Sequence, residues 1–188
     1  MKIFNLLIIL CWFIFFLYWF VSSFGIKRST RQSFAWGGSL IRIGAFIIIF
    51  LALRSQTIDS YIQNSISKPN PTLATIGVIV CACGIGFAIW ARAHLGKNWG
   101  MPMSVKEAPD LITSGPYAYV RHPIYTGVLF GILGSTFVAG LYWLIIFIVS
   151  SIYFFYSARI EEKRLLRQFG EQYQAYKNRT KMLIPFIF

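Results

Sequence analysis

Two short clusters of ionisable side chains are the residues of this chain best suited to chemistry. Arg121 and His122 stand directly before Pro123, and Glu161 and Glu162 form an acidic pair further along. Proline suits the first turn of a helix, so Arg121 and His122 would lie at a helix N-terminus, where an anion is favoured. The acidic pair has two interpretations. It either balances nearby basic residues as solvated charge or forms the second half of a site.

An apolar segment joins the two clusters and determines where they meet. Residues 124–157 contain no charged side chain, and Gly140 lies near the middle. A helix needs about 20 apolar residues to cross ~30 Å of hydrocarbon, so this segment can enter a bilayer and return as two shorter helices. Such a hairpin brings both clusters to one membrane face, which favours a site for a lipid-borne substrate.

The composition predicts an all-α integral membrane protein with a single domain over residues 1–188. Its mean hydropathy is +0.60, with 56% hydrophobic and 13% charged residues, which is outside the range of soluble domains. The apolar stretch near the N-terminus is too long for a signal peptide and is expected to remain as a membrane helix. Five transmembrane helices are expected, at 4–24, 34–53, 72–91, 124–139 and 141–157.

The net charge of +12 follows from topology rather than from a nucleic-acid partner. With five spans, nearly all lysines and arginines fall on one side of the membrane. The positive-inside rule then predicts an outside N-terminus and a cytoplasmic C-terminus, with the basic residues near anionic lipid headgroups. The three cysteines all lie in apolar runs and suggest neither disulfides nor a metal site.

Two polar segments flank the hairpin. The connector 92–122 is long and contains both histidines of the chain together with interleaved aromatic residues, which is typical of an ordered functional loop. After residue 157, Leu165, Phe169, Tyr173 and Tyr176 recur at helical spacing. They predict a C-terminal amphipathic helix over 158–180 that either lies along the membrane surface or folds over the connector.

Two further features have alternative interpretations. Gly127, Gly131 and Gly134 form a small-residue face that indicates close helix packing, and the alternative is room for a cofactor beside Gly127. Arg42 lies inside the second predicted span, where it either snorkels to the interface or contacts the polar site.

The motifs around both clusters resemble those of a known family. The pattern Gly-Pro-Tyr-x-x-Val-Arg-His-Pro-x-Tyr-x-Gly over 115–127 is followed by Glu-Glu-x-x-Leu-x-x-x-Phe-Gly-x-x-Tyr-x-x-Tyr over 161–176. Their order and spacing closely resemble the isoprenylcysteine carboxyl methyltransferase family, and the likeness extends over about residues 92–188. The chain lacks the extra N-terminal spans of the eukaryotic members, which predicts a prokaryotic-type member.

The resemblance implies a membrane methyltransferase that uses S-adenosyl-L-methionine and has no Rossmann domain. It implies an adenosyl pocket lined by Leu111, Ile112 and Tyr117. Glu161 would hold a polar group of the cofactor, whose wall would be His122, Pro123, Ile124 and Tyr125. The partner would be a lipid-soluble small molecule or a lipidated substrate, met within the membrane lipid, with no metal and no nucleic acid.

The resemblance favours O-methylation of a carboxylate, and the residues leave the acceptor open. A carboxylate is already ionised at pH 7 and needs a cation to hold it, which Arg121 or Arg159 can supply. An amine must instead lose a proton, for which His122 or Glu162 is the candidate base. The alternatives to O-methylation are amine N-methylation, an NADPH-dependent sterol-type reductase and a non-enzymatic membrane scaffold.

Overall fold

The computed structural model describes residues 1–23, 70–96, 110–140 and 142–184. Within these ranges the chain forms helices α1 (Lys2–Ser23), α2 (Pro71–Leu95), α3 (Pro123–Ala139), α4 (Tyr142–Phe169) and α5 (Glu171–Arg179), and a 3-10 turn at Gly115–Ala118. The predicted span 34–53 with Arg42, and connector residues 97–109, lie outside the described residues.

The helices have the length and apolar composition of membrane spans. In the described part of the chain, α1, α2 and α4 are long and apolar enough to cross a bilayer, and α3 is a shorter apolar helix. Large side chains of α1 such as Phe13 and Phe16 stay more than half exposed, as expected for residues that face lipid. The prediction of an all-α integral membrane protein is confirmed.

Local signals account for the limits of α2 and α3. Asn70 caps α2 because its side chain accepts a hydrogen bond of 2.9 Å from the backbone N–H of Thr72, and Pro71 occupies the first turn. Pro123 starts α3 in the same way. Gly140, with φ of 105°, ends α3 directly before α4, and the two helices pack together as the predicted hairpin.

Close contact between α2 and α3 explains the glycines of both helices. A Cβ atom on Gly84 would lie 2.6 Å from the backbone nitrogen of Gly131, and one on Gly127 would lie 2.6 Å from the backbone nitrogen of Ala88. Glycine is required because the two backbones occupy this space. The packing interpretation of Gly127 is therefore correct, and the alternative of room for a cofactor beside it is wrong.

Helix α1 packs against α2 and α3 through an apolar cluster and through hydrogen bonds at two places. The Trp12 indole N–H donates to Ser135 Oγ on α3 at 3.0 Å. At the other end, the buried Arg92 donates from Nη2 to the Ser22 carbonyl at 2.9 Å and from Nη1 to the Gly96 carbonyl at 3.0 Å. Arg92 thus connects the C-terminal ends of α1 and α2, where the connector begins.

The C-terminal third differs from the predicted bounds. Helix α4 continues without a break to Phe169, whereas separate helices at 141–157 and 158–180 were expected. Residues 158–169 are rich in strong helix formers, so nothing ends the helix until Gly170, whose φ is 53°. Helix α5 then turns back, and Tyr173 and Tyr176 are buried. The sequence left two placements open, along the membrane surface or over the connector. Helix α5 folds over the end of the connector, where Tyr176 contacts Tyr117.

Candidate active site

The α3–α4 hairpin brings the two ionisable clusters into contact. Arg121 Nε donates to Glu162 Oε1 at 2.6 Å. The imidazole of His122 lies between the two glutamates, with Nδ1 3.7 Å from Glu161 Oε2 and Nε2 3.7 Å from Glu162 Oε1. Histidine and both carboxylates therefore share one site at the polar end of the hairpin.

The two glutamates face different surroundings although they are neighbours on α4. The Glu162 side chain is 4% exposed, whereas that of Glu161 is 39% exposed. Residues that follow each other on a helix point about 100° apart, so one carboxylate is directed into the protein and the other towards open space. Glu161 is consequently the more accessible of the two carboxylates.

Arg121 is buried and forms hydrogen bonds with three other parts of the chain. Besides Glu162, it donates from Nη1 to the carbonyl of Lys177 at 3.2 Å and to the carbonyl of Thr180. Its side chain is only 7% exposed, and burial of a charge is tolerated because each contact compensates part of the lost hydration. These contacts hold α4, α5 and the chain after α5 together.

Aromatic rings form one wall of the site. The rings of His122 and Tyr125 are parallel within 4° at a centroid distance of 5.4 Å, and Tyr125 stacks on Phe154 of α4 at 4.7 Å. The Tyr125 hydroxyl donates to Glu161 Oε2 at 3.1 Å. His122 and Tyr125 lie at the start of α3 and both belong to this wall. Between them in the sequence, Pro123 is buried and Ile124 is half-buried.

The end of the connector approaches the site through the 3-10 turn. Leu111 and Ile112 are half-buried just before it, and Tyr117 is buried within it. Gly115, with φ of 60°, lies so close to His94 that an added Cβ would be 2.8 Å from the imidazole ring. His94 Nε2 is also 2.9 Å from Ser114 Oγ. The end of α2 therefore supports the turn that presents Tyr117.

Buried tyrosines join α5 to this turn. Burial raises the pKa of Tyr117, Tyr173 and Tyr176 above the usual tyrosine value, because a buried site disfavours the charged phenolate. The Tyr176 hydroxyl uses its proton to donate to the Tyr117 carbonyl at 2.6 Å. The Tyr173 hydroxyl is buried and has no hydrogen-bond partner among the described residues.

Arg159 occupies a different part of the site from Glu161. Arg159 and Glu161 are two positions apart on α4, which places them about 200° apart around the helix axis. The Arg159 guanidinium lies over the Phe155 ring, 5.1 Å from its centroid. It borders an open cleft of about 330 Å³. The other residues that line this cleft are Arg121, Glu162, Lys177, Asn178, Thr180, Lys181 and Met182. Lys177 Nζ is 3.5 Å from Glu162 Oε2, and the excess of cations suits an anionic group.

The chain after α5 is a part of the site that the sequence did not predict. The Arg121 amide donates to the Lys181 carbonyl at 2.8 Å, and the His122 amide donates to the Met182 carbonyl at 3.1 Å. Val120 and Lys181 form a parallel bridge. No local signal predicts this pairing, because residues 180–183 lack a strand pattern.

Comparison with known proteins identifies the family. A family model described as phospholipid methyltransferase matches residues 72–172, more than half of the 188 residues. The chain belongs to the phospholipid methyltransferase family. The match runs from the start of α2 to the start of α5, so it includes the connector, the hairpin and both ionisable clusters.

Two proteins similar to this chain are named as methyltransferases. A protein-S-isoprenylcysteine O-methyltransferase of Schizosaccharomyces pombe is 33% identical over 101 residues, covering 52% of this chain and 43% of the relative. A methanethiol S-methyltransferase 1 of Bradyrhizobium diazoefficiens is 37% identical over 83 residues, covering 43% and 29%. The matched region is less than half the length of either relative.

A solved structure shares the fold. The eukaryotic intramembrane Ras methyltransferase, an isoprenylcysteine carboxyl methyltransferase, superposes with a TM-score of 0.55 at 23% identity, covering 83% of this chain and 55% of that one. This likeness concerns the fold alone. The family match and the relatives confirm the resemblance to the isoprenylcysteine carboxyl methyltransferase family.

Proposed function

We propose that this protein is a membrane methyltransferase that uses S-adenosyl-L-methionine to O-methylate a carboxylate on a lipid-like molecule. The observation that carries the proposal is the position of His122 between Glu161 and Glu162, 3.7 Å from each. It occurs at the polar end of a membrane hairpin in a chain of this family. The relatives named as methyltransferases support the reaction class, although they are matched over only part of their length.

The described residues suit this cofactor. Glu161 has an accessible carboxylate that can accept hydrogen bonds from an ammonium group or a ribose hydroxyl, and the His122–Tyr125 stack offers a flat surface beside it. Leu111 and Ile112 are half-buried and Tyr117 is buried, and these three residues would supply the apolar contacts for the adenosyl group that the family resemblance implies. The buried Nε2 of His122 has no hydrogen-bond partner among the described residues. When bound, the cofactor supplies an electrophilic methyl group carried by a sulfonium.

The chain's own residues would bind and orient the acceptor. Arg159, with Lys177 and Lys181 on the same cleft, can attract a carboxylate and hold it by a bidentate contact. A carboxylate is ionised at neutral pH and needs no general base. Positioning and the exclusion of water then make the main contribution to catalysis. Because the site lies at the end of an apolar hairpin, a lipid-like acceptor can reach it from the bilayer.

The positive charge around the site supports a cytoplasmic orientation. Lys163 and Arg167 are exposed on the polar part of α4. Arg179 is exposed at the end of α5, and Lys181 is exposed just after it. The positive-inside rule favours the cytoplasm for this end and the outside for the N-terminus. Reporter fusions after residue 60 and after residue 188 should report opposite compartments. The same compartment for both would contradict the five-span topology.

A labelling experiment tests the reaction. Membranes that contain the protein are incubated with S-adenosyl-L-methionine labelled in its methyl group, and the lipids are extracted. We expect labelled lipid whose methyl group is released by base, as a methyl ester requires. Label that resists base would indicate an amine or thiol acceptor. No label, together with no binding of S-adenosylhomocysteine in calorimetry, would refute the methyltransferase, and binding of NADPH instead would indicate a reductase.

A further inference from the structure

The chain after α5 runs beside the residues that lead into α3. We call residues 180–183 the C-terminal strap. Its Lys181 and Met182 carbonyls accept hydrogen bonds from the Arg121 and His122 amides, and the Thr180 carbonyl accepts one from the Arg121 side chain. The strap therefore contacts both residues of the first ionisable cluster through its backbone.

Thr126 fastens the far end of the strap. Its hydroxyl is 2.6 Å from the Leu183 carbonyl and 3.1 Å from the His122 carbonyl, one helical turn earlier. A hydroxyl has one hydrogen to donate, and the shorter contact to Leu183 takes it. Thr126 is 4% exposed, so water does not compete for this bond. It connects α3 to a residue 57 positions later.

Apolar side chains seal the strap against the site. Met182 and Leu183 are buried at 5% and 8% exposure and pack in one cluster with Ala158, beside Tyr125. Tyr125 contacts both His122 and Glu161, and Ala158 precedes the acidic pair by one helical turn. A displaced strap would therefore disturb both sides of the site.

We propose that Thr126 is a positioning residue, whose hydrogen bond to the Leu183 carbonyl holds the C-terminal strap so that His122 stays between Glu161 and Glu162. The inference rests on the proposed function for its effect on cofactor binding. Its structural part, the fastening of the strap, stands on the geometry alone. Apart from the His122 carbonyl one helical turn earlier, Thr126 has no other hydrogen-bond acceptor among the described residues.

Matched substitutions isolate the hydroxyl. Thr126→Val keeps the shape and removes the donor, while Thr126→Ser keeps the donor. Thr136→Val is the control, because Thr136 lies on the same helix and its hydroxyl bonds only the Ile132 carbonyl within α3, at 3.2 Å. If Thr126→Val does not fold, Thr126→Ala removes the same donor without adding bulk.

Two measurements are made on the full chain in detergent. The first is hydrogen exchange of the Arg121 and His122 amides, which the strap protects, read from overlapping peptides. The second is the affinity for S-adenosylhomocysteine by calorimetry. Loss of a buried neutral hydrogen bond should change the exchange rate and the affinity by about three- to tenfold each. We expect faster exchange and weaker binding in Thr126→Val, near wild-type values in Thr126→Ser, and no change in Thr136→Val.

The outcomes separate the two proposals. Unchanged amide exchange in Thr126→Val or Thr126→Ala would overturn the role of Thr126 as a fastener. Faster exchange with unchanged cofactor affinity would overturn the positioning role. Failure of the wild-type protein to bind S-adenosylhomocysteine would refute the proposed function, whereas the exchange measurement would still decide whether Thr126 holds the strap.

Discussion

Arg121 Nε and Glu162 Oε1 lie 2.6 Å apart, and both side chains are almost fully buried. Without Arg121, the buried Glu162 carboxylate keeps only its longer contacts to His122 and Lys177, and breaking a buried ion pair costs about 3–5 kcal/mol. Arg121→Met should therefore lower the free energy of unfolding by about that amount, measured by tryptophan fluorescence during denaturation in mixed micelles. The double variant with Glu162→Leu should recover part of the loss.

The control for this prediction is Arg167→Met. Arg167 is exposed on the same helix as Glu162, so its replacement should change stability by less than about 0.5 kcal/mol. Equal stability of the Arg121 and Arg167 variants would show that the buried pair contributes nothing.

The second prediction concerns cofactor affinity. His122→Ala and Glu161→Ala should each weaken the binding of S-adenosylhomocysteine by about 1.5–3 kcal/mol, the range for a hydrogen bond that involves a charged group. Calorimetry in detergent measures this change. Glu171→Ala removes the same charge from an exposed position on α5 and should leave the affinity unchanged. Wild-type affinity in well-folded His122 and Glu161 variants would place the cofactor elsewhere.

The third prediction assigns Arg159 to the acceptor. Arg159 lines the cleft and lies about 200° around the helix axis from Glu161. Arg159→Ala should therefore raise KM for a carboxylate acceptor or abolish turnover while cofactor affinity stays nearly intact. Lysine should rescue only partly, since its point charge cannot reproduce the bidentate contact of a guanidinium. Steady-state kinetics with labelled cofactor measures both effects.

Arg167→Ala provides the control for Arg159, since it removes an exposed arginine of the same helix. Full activity in Arg159→Ala would favour an amine acceptor, which has no anion for the arginine to hold. A loss of cofactor affinity equal to that of an Arg121 variant would contradict the separate roles of the two arginines.

The fourth prediction uses two glycines of α2. A Cβ at Gly84 would lie 2.6–2.8 Å from atoms of α3, whereas a Cβ at Gly86 meets no described atom within 4 Å. Gly84→Ala should separate the helices and destabilise the protein by about 1–3 kcal/mol. Gly86→Ala should stabilise it by roughly 0.5–1 kcal/mol through helix propensity. Thermal unfolding in detergent compares the two, and equal effects would rule out close packing at Gly84.

Much of the membrane architecture could be predicted because its signals are local. Long apolar runs identified α1, α2 and the hairpin, and Pro123 and Gly140 indicated where α3 begins and ends. Charge and spacing also identified the Arg121–His122 and Glu161–Glu162 clusters, which the hairpin brings together. The roles of these residues in binding and catalysis remain predictions.

The end of α4 shows where hydropathy alone was insufficient. The apolar stretch ends at residue 157, and a change of element was expected there, but the helix continues to Phe169. Hydropathy reports where a helix leaves the membrane and carries no information on whether it stops. Helix propensity and the position of Gly170 decide the end, and the buried Tyr173 and Tyr176 fix the direction of α5.

The sequence by itself determined the membrane class, the hairpin and the two ionisable clusters, because hydropathy and helix-terminating residues act over a few neighbouring positions. Only the tertiary structure decided the partners of Arg121, the different exposure of Glu161 and Glu162, and the contact of Thr126 with the Leu183 carbonyl. The strap binds through backbone carbonyls, which every residue possesses, so no side-chain pattern in 180–183 could predict that it pairs with 120–122.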